Sequence, residues 1–220
     1  MSYSKIICLA MVLSFCLLVV DTETGWAIPE PALVPPAGTW QLDFELHGDP
    51  ERIAITLPGD DNPRRFWYLL YTITNNTDKD VEFYPQFELF TDTFKLKRAG
   101  EKVRRPIFEV IRKRYVSTLP LLEDMEQVTG RILKGQDNAR SSVAIFEDFD
   151  PNATRAQIFV AGLTNETVKV DHPIKIDAKT GKCVQVLLRK SLALRYQVAG
   201  DRFSLDKRVM LYRGRKWIMR

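Results

Sequence analysis

The sequence predicts a mainly β protein, an antiparallel β-sandwich carrying a short two-helix insertion at about 106–135. Three observations point there. Hydrophobic residues make up 45%, aromatic residues 10% and charged residues 27% of 220 residues, enough apolar surface for one globular core. Period-two alternation of apolar and polar residues recurs along the chain between Gly, Pro, Asn and Asp clusters, giving roughly nine or ten short strands. The period lengthens to a helical one only in the middle, between Pro106 and Gly135.

The elements follow in order. Trp40, Leu42, Phe44 and Leu46 alternate with Gln41, Asp43 and Glu45, a half-buried strand. A turn at 47–50 leads to Ile53, Ile55 and Leu57, and a second turn at 58–63 follows. Residues 66–74 are apolar or aromatic on both faces, as in a central strand. The polar stretch 75–80 reads as a hairpin connection to Val81, Phe83, Phe87 and Leu89. Ile107, Phe108, Ile111 and Tyr115 fit one helical face, and Leu121, Leu122, Met125, Val128, Ile132 and Leu133 fit another. Glu123 and Asp124 open that second helix and Gly135 stands where it would stop. Strands resume at 142–146, 156–162, 168–176, 184–188 and 192–198, with 209–211 and 217–219 closing the chain. Pro173 lacks a donor and belongs on an edge strand or at a break.

The amino terminus predicts export. Lys5 precedes an apolar run at 6–20, which as a helix spans about 22 Å against a hydrocarbon core of roughly 30 Å. With Gly25 and Ala27 following, 1–27 reads as a signal peptide, a retained signal anchor being the alternative. Bulky Phe15 before Cys16 argues against a lipid anchor. Residues 28–38 hold four prolines, a leader arm of extended geometry, and 39–220 form a single domain. The location expected is periplasmic or secreted, with no transmembrane helix in the mature chain. Removal of the signal takes Cys8 and Cys16, leaving Cys183 as a buried small apolar residue with no disulfide partner.

The stretch Tyr68-Leu69-Leu70-Tyr71-Thr72-Ile73-Thr74-Asn75-Asn76-Thr77, leading to Val81 and Phe83, resembles a strand-turn-strand pattern of bacterial immunoglobulin-like domains. The likeness implies a secreted sandwich used for binding or assembly. It does not extend to the paired cysteines and core tryptophan of antibody domains. The chain as a whole resembles exported bacterial proteins, which brings no activity with it.

Chemistry is sparse. His47 and His172 are the only imidazoles, and neither a Gly-x-Ser-x-Gly elbow nor a His-Glu-x-x-His or Cys/His zinc pattern accompanies them. No catalytic residue is assigned, and a non-enzymatic protein is expected. Asp148, Asp150 and Asn152 repeat the first three ligand positions of a calcium loop, but Ala153 and Phe159 stand where its glycine and final acid belong. They remain a metal candidate for Ca2+, against an Asp-Pro turn; otherwise no cofactor is expected. Lys97, Arg98, Lys102, Arg104, Arg105, Arg112, Lys113 and Arg114 form a basic cluster, with Lys95 beside it and few nearby acids. Such a patch suits an acidic protein surface, self-association through the acidic region around Asp43 and Asp61, or an anionic envelope surface. Nucleic acid is disfavoured by the export signal and the lack of a recognition motif. Tyr84 and Phe90, on the polar side of their strand, are candidates for stacking on a carbohydrate. The leading expectation is an exported protein acting through protein contacts, as an assembly subunit or envelope accessory. A carbohydrate- or calcium-binding module comes second and a hydrolase third.

Overall fold

A computed structural model describes residues 28–32, 36–200 and 207–220. The expected signal peptide lies outside the described residues. The chain is mainly β: β1 (Asp43–Leu46), β2 (Glu51–Ile55), β3 (Arg64–Asn75), β4 (Val81–Phe83), β5 (Gln86–Thr91), β6 (Leu96–Arg98), helix α1 (Arg105–Arg114), β7 (Leu122–Glu123), helix α2 (Met125–Val128), β8 (Gly130–Ile132), β9 (Gly135–Glu147), β10 (Arg155–Ala161), β11 (Thr167–Ile176), β12 (Cys183–Ala199) and β13 (Val209–Met219).

Two sheets face each other. In the first, β1 and β2 pair in succession along one edge of β3, β9 lies on its other side, and β7 adds a short parallel strand to β9. In the second, the order is β6-β5-β10-β12, with β11 on the first half of β12 and β13 on the second. Phe44, Trp67, Leu69, Tyr71 and Phe146 of the first sheet share a core with Phe87, Leu89, Ile158, Leu194 and Tyr196 of the second. The opposite face of the first sheet is also buried: Phe66, Tyr68, Leu70, Val143 and Ile145 pack under Ile107, Phe108 and Ile111 of α1. This explains why residues 66–74 are apolar on both faces. A strand covered by a sheet on one side and a helix on the other has no position left for water.

Four expectations are corrected. Residues 75–80 do not close a hairpin, because β4 pairs with β8 rather than β3. Buried Asn75 turns the chain there, its Nδ2 donating to the carbonyls of Lys79 and Ile132 while Oδ1 accepts from the Thr77 amide. The second helix of the insertion is a single turn. Asp124 and Gln127 form a genuine capping box, but the chain is extended by Thr129 and enters β8 at Gly130, φ +117°. Finally, 184–188 and 192–198 are one strand of 17 residues, β12. Its amino-terminal half leaves the core with β11 as a projecting hairpin, so Cys183 is exposed rather than buried.

Candidate docking surfaces

Seven of the eight residues of the basic cluster at 97–114 have an acid of the same fold within 4 Å. Lys97 Nζ stands 2.9 Å and Lys102 Nζ 3.9 Å from Glu147, whose carboxyl the Lys97 hydrogen bond holds below its ordinary value against the effect of burial. Arg98 meets Glu88 at 3.1 Å, and Arg104 grips both Asp60 oxygens at 2.9 and 3.1 Å. Glu109 takes Arg112 at 2.7 Å and Arg105 at 3.8 Å. Arg114 donates to Tyr68 Oη at 2.9 Å and to Glu51 at 3.3 Å. Of the eight predicted residues only Lys113, exposed on α1, has no acid within 4 Å among the described residues. The acids come from β2, the loop before β3, β5, α1 and β9.

One of these contacts belongs to a tighter network. Tyr68 and Tyr115 hydroxyls donate to the two oxygens of Glu51 at 2.7 and 2.5 Å and lie 3.2 Å apart. Burial, then the bonds to Tyr115 and Glu51, push the Tyr68 hydroxyl far above its ordinary pKa. It stays protonated and ties α1 to the edge of the first sheet.

The calcium candidates sit in the turn between β9 and β10. Asp148 Oδ1 accepts Trp67 Nε1–H at 2.7 Å and the Phe149 amide at 3.0 Å. Asp150 Oδ1 accepts the Asn152 amide at 2.9 Å, and that bond, with one from Thr93, lowers its pKa. Among the described residues no group of three or more His, Cys, Asp or Glu is placed to hold a metal ion. Tyr84 is exposed in the β4–β5 turn, whereas Phe90 is half-buried near the far end of β5, edge-on to Phe94 at 6.2 Å. The structure does not bring Tyr84 and Phe90 together, since four residues of β5 separate them.

Sequence reasoning missed three features. The β11–β12 hairpin carries exposed Ile174 (83%), Ile176 (65%), Leu187 and Val184. The outer face of the second sheet gathers Arg155, Arg195 and Arg213 with Gln157 and Gln197 around a shallow depression of about 330 Å³. The leader is seated rather than loose: the Ala32 amide donates to Glu166 Oε1 at 2.9 Å, and Glu166 forms a 2.8 Å ion pair with Lys190, both residues 6% exposed. Lys190 Nζ also lies 5.3 Å from the centre of the Trp217 ring.

No family model, curated protein or solved structure matches the chain. No helix among the described residues is long and apolar enough to cross a membrane.

Proposed function

We propose that this is a non-catalytic exported protein that works through protein–protein contacts, as an assembly subunit or an envelope accessory. The observation that carries the reading is the β11–β12 hairpin. A two-stranded ribbon is marginal in water unless something covers it, yet this one leaves the core and holds Ile174, Ile176, Val184 and Leu187 toward solvent. Apolar area contributes about 25 cal/mol per Å² when removed from water, so a partner that covers these side chains stabilises both itself and the ribbon. Pro173 has no N–H and the ladder shifts register between Asp171 and Ile176, which interrupts the outer edge of β11. Side-chain packing rather than continuous strand addition is therefore the mode of contact.

The test is a photo-crosslinking residue placed at Ile176 in the full chain, in the cells that produce it. A discrete adduct from Ile176, absent from the exposed control position Glu45 and lost in Ile174→Asp, supports the reading. Equal adducts from both positions, or none from Ile176, would sink it.

A further inference from the structure

We propose that the outer face of the second sheet docks an acidic protein segment through Arg155, Arg195 and Arg213. This rests on the reading that the protein works through protein contacts, but it names a second surface and the chemistry of its partner.

The face is assembled by register. Arg155 of β10 lies opposite Gln197 of β12, and Gln157 opposite Arg195, so arginine and glutamine alternate both along and across the strands. Next to them β13 carries an extra residue: Arg195 pairs with Gly214 but Tyr196 pairs with Tyr212, leaving Arg213 as the bulge. A bulge re-aims the side chain it inserts, and Arg213 joins Arg155 and Arg195 around the same depression. Gly214 fits the bulge by its φ of +115°, and a Cβ there would stand only 3.3 Å from Arg195 Nη2. The bare backbone gives that guanidinium room to lie across the strand.

These charges are not spent inside the fold. Arg155 has Asp92 at 3.7 Å, but neither Arg195 nor Arg213 has an acid within 4 Å among the described residues, and no acidic side chain lines the depression. Arg155 and Arg195 stand on the diagonal of the β10–β12 pair, about 7–8 Å apart, within reach of one acidic segment. Arginine forks grip carboxylates in two-point contacts, and the glutamine amides offer donors and acceptors to a peptide backbone. The Phe159 ring, two residues along β10 from Gln157, is covered by the Arg220 guanidinium at 4.1 Å and offers no free face to a stacked base. A bilayer finds no large aliphatic side chain in the depression.

The test uses the full chain and a labelled poly-glutamate peptide, followed by fluorescence anisotropy. Wild type is expected to bind at low salt and to release the peptide near 1 M salt, where the screening length is about 3 Å. Arg195→Glu/Arg213→Glu is expected to weaken binding by about tenfold or more with an unchanged melting temperature. Arg195→Gln/Arg213→Gln gives the same direction should the reversal disturb folding. Lys113→Glu, in the 97–114 cluster away from this face, should change affinity less than about twofold, since one exposed charge contributes little. Unchanged affinity in both double variants overturns the proposal. So does binding of heparin or single-stranded DNA where poly-glutamate fails. Crosslinking through Ile176 is read in the same variants, so loss of the arginine face alone leaves the hairpin reading standing.

Discussion

Lys190→Met isolates the energetics of the seat that receives the leader. Methionine keeps most of the aliphatic stem beside Trp217 and removes the charge that sits 2.8 Å from Glu166 Oε2. The Ala32 amide still donates to Oε1, yet a buried carboxylate is left without its counter-charge. Removing one partner of such a pair costs about 3–5 kcal/mol, a large share of a total stability of about 5–15 kcal/mol. With a urea slope of about 2 kcal/mol per M, the midpoint should fall by roughly 1.5–2.5 M at neutral pH. Glu166→Gln/Lys190→Met, which removes both charges, should recover more than half of that.

The pH dependence gives an independent sign. In the wild type, burial pushes the Glu166 carboxyl up, but the Lys190 hydrogen bond, the Ala32 amide and the Lys190 charge outweigh it, and its pKa lies below the ordinary value. Its contribution is therefore full above the unfolded value of about 4.3 and is lost as pH falls through the lower folded value. In Lys190→Met burial dominates, the carboxyl titrates above the unfolded value, and stability is lost as pH rises through it. The deficit of the variant should widen from pH 4 to pH 7. A midpoint shift below about 0.3 M in urea, or a deficit flat across that interval, would refute the reasoning.

Three further substitutions test the packing and the Tyr68 network. Gly162→Ala places a Cβ against the carbonyl of Tyr84 at a φ of +94°; it should cost more than about 2 kcal/mol and lower Tm by about 5 °C or more. Gly48→Ala, with φ +91° and open space around it, serves as the strain-only control and should cost about 1 kcal/mol. Tyr68→Phe removes the hydroxyl that links Arg114 to Glu51. It should cost about 1–2 kcal/mol and speed amide exchange in α1 before any other element.

The legible parts of the fold were those where burial is local. Residues 66–74 announced a strand buried on both faces, and the alternation around Ile158 and Leu194 announced strands buried on one. The misread helix at 121–133 shows the limit. Leu122, Val128 and Ile132 are buried and Met125 partly so, at the successive spacings of three, three and four that a helix would produce. Three short elements in succession deliver them to two cores, β7 carrying Leu122 under α1 while α2 and β8 carry Val128 and Ile132 between the sheets. The capping box at Asp124 and Gln127 was a true start signal, but it does not fix length. The signal that could have shortened the helix was Thr129-Gly130, the glycine supplying a positive φ two residues after the last helical residue, Val128. The polar half of β9, Gly135 to Arg140, carried no alternation because it runs beyond the core and is mostly exposed.

The ion pairs of the candidate surfaces were not legible in the sequence, for an electrostatic reason. Density along the chain counts only sequence neighbours, whereas the acids that neutralise the 97–114 cluster include Glu51, Asp60, Glu88 and Glu147, brought in across the sheets. The arginine face has the opposite history. Arg155, Arg195 and Arg213 are far apart in sequence and meet only through the register of β10, β12 and β13. A trace was visible in Arg-Gly at 213–214, since glycine inside a strand marks a bulge, but pairing partners cannot be read from it. The two outcomes are linked by the charge balance. With 32 basic and 28 acidic residues there is little surplus to distribute, so a strongly basic surface arises only where acids are withheld. The first sheet and α1 draw in Glu51, Asp60, Glu109 and Glu147 to hold their own cations. On the second sheet Glu88 is shared by Arg98 and Arg220, and Asp92 by Arg155 and the Thr154 hydroxyl. Arg195 and Arg213 are left exposed with no acid within 4 Å among the described residues.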